Sequence, residues 1–437
     1  MKAVIILAAG NGTRMKSSVP KVLHEVSGKP MLQWVIDATN KLAFDQTIIV
    51  TSLTLEFECH LDNVDLVVQE SPKGTGHALQ IAFSKIKSSI KQVLLICGDT
   101  PLLDYNDLKH LIESNADLTL AAMKIDDLSK SYGRVTLDAN KQPIAIVETK
   151  HNENAKVNNI ANAGAYAFNT DMLRNLLPQL KPNPEANEIY ATDLLELAKM
   201  QKYSTGLVDV NEENFLGVNT FVELEIAENI MQKRIKQKHM LNGVRFILPA
   251  TTYVNYDAEI ANDVWIEPNV YIGSGVRIYE GTCIKAYTYL NDCTIAKDSS
   301  VGPFAHLRGQ TVIEEGASIG NFVEVKNSQI GKKAKAKHLS YIGDASVGDK
   351  TNIGAGTITC NYNGFEKFKT QIGDGVMVGV NTTLVAPVSI GDGAYVAAGS
   401  VITEDVTNDS LAISRIQQHE KNGWAVSFRA RYTKKLS

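Results

Sequence analysis

Aliphatic side chains recur at every sixth position through much of the second half of this 437-residue chain. In residues 372–402 these positions are Ile372, Val378, Leu384, Ile390, Val396 and Ile402. A small or β-branched residue follows each of the first five after four positions, at Val376, Thr382, Val388, Ala394 and Ser400. A period of six is neither helical nor a simple strand alternation. It predicts a chain that makes a short strand, turns a corner and makes the next, so that three sides close one triangular coil.

The same six-residue register occurs in three earlier runs. These comprise Val254, Ile260, Ile266, Ile272, Ile278 and Ile284; then Ile295, Val301, Leu307, Ile313, Ile319 and Val325; then Tyr341, Val347, Ile353 and Thr359. We expect these residues to point inward, with Gly, Asn or Asp taking the corner conformations that other residues resist. Stacked coils would bury a continuous core that no single repeat could bury. The alternative is chance aliphatic spacing in an ordinary β-sandwich.

The N-terminal half alternates strand and helix patterns over residues 1–220. Buried parallel strands are predicted by the apolar runs at residues 4–9, 46–51, 66–69 and 93–99, and helices by residues 30–42 and 76–88. This alternation predicts a Rossmann-like, doubly wound α/β domain, whose ligands sit beyond the carboxyl ends of the strands. Residues 221–243 predict one long, solvated linker helix with acidic residues first and basic residues last. Residues 244–437 form the third predicted segment, the repeat domain with its tail.

Composition excludes several classes of protein. The net charge is −4, which does not favour a general nucleic-acid surface, and no apolar run approaches the length of a membrane span. The five cysteines show no metal-binding spacing, so we expect reduced thiols in a cytoplasmic protein.

A glycine-rich loop follows the first predicted strand, at residues 7–15 with the sequence LAAGNGTRM. Such a loop lets backbone N–H groups approach a phosphate or a base edge. It lacks the Gly-Lys-Ser/Thr of a Walker loop and the third glycine of GxGxxG. Arg14 lies within this loop and Lys21 follows it. Both could bind nucleotide phosphates, because holding these phosphates with cations is the main task in phosphoryl-type transfer. Solvated surface charge is the alternative interpretation of both residues.

Asp99 ends the apolar run at residues 93–99, which would place a carboxylate at the mouth of the sheet. Mg²⁺ prefers hard oxygen ligands and commonly binds one or two protein groups together with phosphate oxygens. Asn219 would supply a second oxygen. The alternative is that Asp99 caps the helix that follows it.

Polar residues interrupt the repeats between residues 306 and 367. Arg308 and Lys326 each follow an inward aliphatic residue, and residues 360–367, here called the excursion loop, leave the six-residue register. Loops that leave a solenoid commonly carry its binding functions. His338 is a candidate general base, since histidine side chains titrate near pH ~6.5 and a thioester is attacked by a neutral amine. A satisfied structural histidine is the alternative.

The N-terminal motifs are similar to the signature of sugar-1-phosphate nucleotidylyltransferases: LAAGxGTRM followed by Pro20-Lys21, with a Gly-Asp pair at a strand end. The resemblance implies catalytic roles for Arg14 and Lys21 and a Mg²⁺ site at Asp99 and Asn219. It also implies contacts to UDP-N-acetylglucosamine from Leu7, Ala8, Ala9, Gly10, Lys21, Gln69, Gly74, Thr75, Cys97, Gly98, Asp99, Gly133, Glu148, Asn162 and Asn219. Cys97 and Ala163 depart from the family, which more often has Tyr and Thr there.

The repeats resemble the left-handed parallel β-helix of hexapeptide-repeat acyltransferases, which form trimers. The whole chain is similar to a bacterial family that joins both kinds of enzyme. This implies His338 as general base, with Glu324 holding the amine or orienting that histidine. Glucosamine-1-phosphate would contact Arg308, Lys326, Tyr341, Asn352 and Lys367. Acetyl-CoA would contact Ala355, Asn361, Tyr362, Val380, Ala398 and Arg415, where Val380 replaces the usual serine.

The resemblance implies a bifunctional transferase that acetylates glucosamine-1-phosphate and then couples the product to UTP for cell-wall and lipopolysaccharide synthesis. Small-molecule substrates, Mg²⁺ and a cytoplasmic homotrimer without stable membrane insertion follow from it. One alternative is a single-activity nucleotidylyltransferase with a structural or allosteric β-helix. The presence of His338 and the excursion loop argues against this alternative. Another is a non-enzymatic regulatory subunit, against which Arg14, Lys21, Asp99 and Asn219 weigh.

Overall fold

The computed structural model describes residues 1–10, 12–53, 64–130, 132–149, 158–184 and 186–433. Asn11 of the glycine-rich loop and Cys59 lie outside the described residues. The chain divides into two compact units, Met1–Ile235 and Lys236–Ser437. Among the helices described, none combines the length and the apolar character that crossing a membrane requires.

The N-terminal unit is built on one sheet, in the order β11-β7-β10-β6-β1-β4-β5, with β8 and β9 paired at its side. Its strands, with the short hairpin β2–β3, are β1 (Lys2–Ala8), β2 (Glu25–Val26), β3 (Lys29–Pro30), β4 (Gln46–Thr51), β5 (Val64–Val68), β6 (Gln92–Cys97), β7 (Leu118–Lys124), β8 (Arg134–Leu137), β9 (Pro143–Val147), β10 (Ile160–Asn169) and β11 (Thr205–Asp209). The helices are α1 (Met31–Asn40), α2 (Thr75–Phe83), α3 (Tyr105–Glu113), α4 (Thr170–Leu176), α5 (Asp193–Met200) and α6 (Phe221–Leu241).

Two apolar clusters cover the two faces of this sheet. Helices α2, α4 and α5 pack on one face and α1 and α3 on the other, as the doubly wound prediction requires. The sheet is nevertheless mixed, because β10 runs antiparallel to both β6 and β7. The carboxyl ends of β1 and β6 lie side by side, with Leu7 opposite Cys97. That juxtaposition brings the glycine-rich loop next to Asp99.

Helix α6 forms where the linker helix was predicted, but it is not simply a solvated connector. Ala227 and Met231 are buried in an apolar cluster of the N-terminal unit. Glu228 accepts hydrogen bonds from the backbone and hydroxyl of Ser27, and Arg234 donates to the carbonyl of Leu102 at 2.6 Å. The last residues of α6 belong to the C-terminal unit, where Lys236 donates to two backbone carbonyls. Its charge pattern alone did not reveal these contacts.

Three parallel sheets stack short strands in the C-terminal unit. The first sheet contains β12 (Arg245–Phe246), β15 (Trp265–Ile266), β18 (Cys283–Ile284), β21 (Ser300–Val301), β24 (Ser318–Asn321), β27 (Lys335–His338), β30 (Asn352–Ile353), β33 (Met377–Val378), β36 (Tyr395–Val396) and β38 (Leu411–Ala412). The second contains β13 (Tyr253–Val254), β16 (Tyr271–Ile272), β19 (Tyr289–Leu290), β22 (His306–Arg308), β25 (Glu324–Lys326), β28 (Tyr341–Gly343), β31 (Ile358–Cys360), β34 (Thr383–Val385) and β37 (Val401–Ile402). The third contains β14 (Glu259–Ile260), β17 (Arg277–Ile278), β20 (Cys293–Ile295), β23 (Thr311–Ile313), β26 (Gln329–Ile330), β29 (Ala345–Val347), β32 (Thr370–Ile372) and β35 (Val388–Ile390).

Consecutive strands belong to different sheets, so each coil contributes one strand to each side, as in the left-handed parallel β-helix of hexapeptide repeats. The predicted inward positions of residues 254–284, 295–325 and 372–402 are all buried. Tyr341 is the exception. Its neighbour Ile342 points inward and Tyr341 lies on the outer face, so the predicted register is wrong at that strand. After the last coil, helix α7 (Trp424–Thr433) is exposed.

Large side chains occupy corners where Gly, Asn or Asp was expected. Tyr287, Phe304, Phe322 and Leu339 all have positive φ, between 48° and 59°. A non-glycine residue in this region costs about 1–2 kcal/mol. The rings of Tyr287, Phe304 and Phe322 stack at centroid distances of 4.9 and 5.1 Å, and such stacking contributes about 0.5–1.5 kcal/mol per pair. Stacking between coils therefore offsets part of the backbone strain.

Candidate active sites

A cavity of about 470 Å³ opens at the carboxyl ends of β1 and β6 in the N-terminal unit. The predicted residues that line it are Leu7, Ala8, Ala9, Gly10, Arg14, Lys21, Gln69, Gly74, Thr75, Cys97 and Asp99. Gly12 has a φ of 58°, and a Cβ there would overlap the Lys21 side chain. The glycine therefore lets the loop lie against the lysine. The predicted nucleotide loop and the predicted metal carboxylate share one pocket.

Two cations that line this cavity contact two oxygen-bearing side chains, Asp99 in the cavity wall and Asn219 beside it. The Lys21 ammonium donates to the Asp99 carboxylate and also lies 3.1 Å from Oδ1 of Asn219. Arg14 Nη2 donates to the same Asn219 oxygen at 2.8 Å. The Asn219 backbone is fixed in turn, because its N–H donates to Glu223 at the start of α6. All four predicted residues are therefore brought together.

This donor set suits a hard divalent cation. Asp99 and Asn219 offer a carboxylate and an amide oxygen, the ligand types that Mg²⁺ prefers. Both oxygens accept hydrogen bonds from the Lys21 ammonium, so the point between them already attracts positive charge. No cluster of three or more His, Cys, Asp or Glu ligands occurs in the described ranges. The remaining ligands of an ion here would come from water or phosphate oxygens.

Gln69 lies at the edge of the cavity formed by the start of α2. Its amide donates to the Gly74 carbonyl at 3.2 Å, and its Nε2 lies 3.0 Å from Nδ1 of His77. Burial and the positive charge of Lys73 lower the pKa of His77, so its neutral form is favoured and can accept from Gln69. Thr75 Oγ1 accepts from the backbone N–H of Ala191 at 3.0 Å. These contacts fix Gln69 and the start of α2, where the predicted contacts Gly74 and Thr75 lie.

The remaining predicted sugar contacts lie on β8, β9 and β10. Asn162 accepts the backbone N–H of Gly164 at 3.1 Å and donates to Tyr166 at 2.6 Å, while its own N–H donates to the Gly133 carbonyl. A Cβ at Gly133 would lie 3.4 Å from the Glu148 carboxylate. Gly98 is buried against Leu7 and Leu32. Gly133, Glu148 and Asn162 therefore form a second cluster in the same unit, whereas Gly98 lies against β1.

Cys97, one departure from the family, borders both groups. Its Sγ lies 3.9 Å from the Gly164 carbonyl, and its side chain lines the cavity. Burial raises the pKa of the Cys97 thiol to about 12, and the charge of Asp99 acts in the same direction. The thiol is therefore a neutral group in the pocket wall.

Two side chains of this cavity escaped sequence reasoning. Glu188 and Tyr190 line it from the segment before α5. Burial raises the pKa of Tyr190 to about 12, and the Glu188 charge adds to this effect. Neither residue lies in a recognisable motif. The only signal was their place in an irregular stretch between helical patterns.

In the C-terminal unit, the predicted phosphate cations lie together at one edge of the second sheet. Arg308 and Lys326 are Cα partners on β22 and β25. The Arg308 guanidinium donates twice to Oε1 of Glu324, at 2.6 and 3.0 Å. The hydrogen bond and positive charge of Lys326 lower the pKa of Lys367, which shows that the two ammonium groups are close. Tyr341 Oη lies 3.5 Å from the Asn361 amide nitrogen.

His338 is the last residue of β27 on the first sheet, at the corner that precedes β28 on the second sheet. Its Nδ1 lies 2.8 Å from Oδ1 of Asn321, its partner on the preceding coil. The imidazole is exposed. The carboxylate of Glu324, for which two roles were considered, is held by Arg308, and the contact shown for the His338 ring comes from Asn321. The orienting residue is Asn321, which sequence reasoning missed.

Several predicted acetyl-CoA residues stack at the corner that carries His338. Backbone bonds from Gly356 to Leu339, from Asn381 to Ala355 and from Gly399 to Val380 relate these corners on successive coils. His338, Ala355, Val380 and Ala398 therefore form a column. Asn361 and Tyr362 lie instead at the base of the excursion loop, where Asn361 is buried and Tyr362 is exposed.

Two predicted residues are separate from both groups. Asn352 lies on the first sheet, where its amide contacts Met377. Arg415 is exposed in the segment after the last coil. The C-terminal predictions therefore divide into a cation edge, a histidine corner and these two outlying residues.

Residues 4–135 match the family model for a MobA-like NTP transferase domain, and residues 369–404 match that for the bacterial transferase hexapeptide (six repeats). The bifunctional protein GlmU of Bartonella quintana is 40% identical over 436 residues, which cover 98% of this chain and 97% of that protein. That of Zymomonas mobilis is 40% identical over 444 residues, covering 99% and 98%. That of Thermodesulfovibrio yellowstonii is 41% identical over 449 residues, covering 97% and 98%.

Proposed function

This chain belongs to the family of the bifunctional GlmU proteins, and we propose that it catalyses two transfers at separate sites. In the C-terminal unit, acetyl-CoA and glucosamine-1-phosphate give N-acetylglucosamine-1-phosphate and CoA. In the N-terminal unit, that product and UTP give UDP-N-acetylglucosamine and pyrophosphate. The observation that carries the proposal is the hydrogen-bonded group of Arg14, Lys21, Asp99 and Asn219 at the N-terminal cavity, while His338 occurs in the other unit.

Uridylyl transfer requires a clamp on the nucleotide phosphates more than a protein base. The attacking oxygen of a sugar-1-phosphate is already anionic at neutral pH, so positioning and charge neutralisation are the main requirements. Arg14 and Lys21 supply two cations beside the glycine-rich loop, whose N–H groups can approach phosphate oxygens. Gln69, fixed by Gly74 and His77, presents its amide carbonyl for reading uracil.

Asp99 and Asn219 would hold the divalent ion, which we propose is Mg²⁺. The ion would neutralise charge on the nucleotide phosphates. With their hydrogen bonds to Asp99 and Asn219 released, Lys21 and Arg14 would be free to bind phosphate oxygens. The same side chains thus serve as partners of the metal ligands and as the phosphate clamp.

Acetyl transfer requires the amine of glucosamine-1-phosphate to lose a proton as it attacks the thioester. When His338 Nδ1–H donates to Asn321, the lone pair of Nε2 remains available to accept that proton. Arg308, Lys326 and Lys367 bind the phosphate end. The amide bond forms as the carbon–sulfur bond breaks, and the thiolate leaves as CoA. The column at Ala355, Val380 and Ala398 carries acetyl-CoA.

A cytoplasmic homotrimer formed through the β-helix accounts for the exposed residues near this site. Phe365 in the excursion loop is 92% exposed and Ile416 beside Arg415 is 95% exposed. Contact with a second copy would remove these two apolar side chains from water, which is favourable. A second copy that covered them would bring Arg415 and Asn352 to the site of a neighbouring chain. A closed ring satisfies such a head-to-tail contact.

The test follows both reactions on the same sample. Thiol release from acetyl-CoA with glucosamine-1-phosphate reports acetyl transfer, and pyrophosphate release from UTP reports uridylyl transfer. His338→Ala should abolish thiol release and leave pyrophosphate release near normal, and Asp99→Ala should do the reverse. Loss of both activities in either folded variant would contradict two separate sites. If the unmodified protein released pyrophosphate but no thiol, the result would favour a single-activity nucleotidylyltransferase.

A further inference from the structure

Asp344 is a buried carboxylate beneath the cation edge of the C-terminal unit. It follows β28 with a φ of 50° and is 8% exposed. Its N–H donates to the Lys326 carbonyl at 3.0 Å, and its carbonyl accepts from Thr370 at 3.2 Å. Aspartate tolerates this left-handed conformation better than most residues. Both backbone groups are paired, so the side chain starts from a fixed point.

The Asp344 carboxylate joins two neighbouring segments. Oδ1 accepts from the amide of Asn327, and Oδ2 accepts from the amide of Asn361. Asn361 anchors the excursion loop, because its carbonyl accepts the N–H of Phe368 at 2.9 Å. Within the loop, Tyr362 and Lys367 pair as a β-bridge. A path of hydrogen bonds therefore runs from Asp344 to the backbone of Lys367.

The charge of Asp344 also faces the two lysines. Burial acts to raise the pKa of Asp344, but hydrogen bonds from Asn327 and Asn361 and the charges of Lys326 and Lys367 lower it overall. The Lys367 ammonium is faced by Lys326 from β25, Tyr341 from β28 and Asp344 from the corner. Two adjacent ammonium groups repel each other, and a buried carboxylate beside them reduces that repulsion.

We propose that Asp344 is a positioning residue for the phosphate end of the amino-sugar phosphate: it anchors the excursion loop through Asn361 and holds Lys326 and Lys367 side by side. This inference rests on the proposed function of the site. Asp344 acts through these three residues and not on the reacting atoms. Its loss should weaken binding of the phosphate most, should weaken acetyl-CoA binding less, through the predicted contact at Asn361, and should leave the chemical step largely unchanged.

The test compares Asp344→Asn with Asp349→Asn in the full chain. Asp349 is an aspartate at the next corner, where its carboxylate accepts a backbone N–H at 2.7 Å. We expect Asp344→Asn to raise KM for glucosamine-1-phosphate about tenfold, with little change in kcat and a smaller rise in KM for acetyl-CoA, because Asn361 is also a predicted acetyl-CoA contact. The negative charge of Asp344 raises the pKa of Lys367. Its removal should move the alkaline limb of the kcat/KM profile to lower pH. Asp349→Asn should match wild type in both measurements.

A second variant separates charge from shape. Asp344→Glu keeps the charge and displaces the carboxylate, so it should raise KM while the alkaline limb stays at its wild-type position. An Asp344→Asn protein that folds and keeps wild-type KM and pH profile would overturn the inference. The inference would also be overturned if the alkaline limb of the kcat/KM profile of Asp344→Glu moved away from its wild-type position. This result would count even if Asp344→Asn failed to fold. Failure of the proposed function is distinguishable, because wild type itself would then release no thiol.

Discussion

Nδ1 of His338 lies 2.8 Å from Oδ1 of Asn321, a residue at the matching position of the preceding coil. An acceptor on Nδ1 selects the tautomer in which Nε2 carries the lone pair, which is the form a general base needs. Asn321→Ala removes this selection and frees the ring to rotate. We expect kcat for acetyl transfer to fall about tenfold with little change in either KM, measured as thiol release. Pyrophosphate release from the same sample is the internal control, and an unchanged kcat would contradict the orienting role.

The contacts of Lys21 predict an effect on metal affinity. Its ammonium occupies the space between Asp99 and Asn219, so it competes with a divalent ion for both oxygens. Lys21→Met removes the competitor without adding a charge. We expect Mn²⁺ to bind about tenfold more tightly, measured by calorimetric titration without nucleotide. Uridylyl transfer should fall about a hundredfold or more, because the phosphate clamp is lost.

Lys29→Met is the matched control for that experiment. Lys29 also pairs with a carboxylate, Asp37, at 2.6 Å, but neither residue lines the cavity. Its substitution should leave Mn²⁺ affinity and pyrophosphate release near wild type. Equal effects of the two substitutions would indicate a change of overall charge and would contradict direct competition at Asp99.

His77 predicts a pH-dependent contribution to stability. Its pKa is lowered in the folded chain, so below pH ~6.5 the unfolded chain binds the extra proton more readily. The stability that neutral His77 contributes is therefore fully present above pH ~6.5. It is lost as the pH falls from there through the pKa of His77 in the folded chain. Between pH 7.5 and 5.5, the melting temperature of wild type should fall more steeply than that of His77→Gln. Parallel curves of melting temperature against pH for the two proteins would contradict this prediction, because the pKa of His77 would then be the same in the folded and unfolded chain.

Local patterns predicted the architecture because they reflect repeated geometry. Each coil turns three corners, so inward residues must recur at sixth positions, and buried parallel strands must read as apolar runs. Strand direction has no comparable signal. The antiparallel β10 is an apolar run like its neighbours, and its orientation depends on how the chain returns to the sheet.

The candidate sites show the same limit. Arg14, Lys21, Asp99 and Asn219 form one hydrogen-bonded group, as their motifs indicated. Asn321 lies 17 positions before His338, and only the stacking of coils makes them neighbours. The sequence did not indicate a special role for Asp344, because other aspartates occur at corners of the coils. Examples are Asp349 and Asp374, whose carboxylates accept backbone N–H groups. What distinguishes Asp344 is the pair of amides that bind it, and sequence spacing does not encode that.

The register at β28 gives a prediction for stability. Ile342 is 1% exposed and points into the coil, whereas Ile358 on the adjacent strand pairs with Tyr341 and is 45% exposed. Ile342→Ala should lower the free energy of unfolding of the β-helix by about 2–5 kcal/mol, because it leaves a cavity that neighbouring coils cannot fill. Ile358→Ala, the same chemical change on the outer face, should alter it by about 0.5 kcal/mol or less. Chemical denaturation followed by circular dichroism measures both. If Ile358→Ala were the more damaging substitution, Tyr341 and its strand partner Ile358 would point inward and the inward assignment of Ile342 would be wrong.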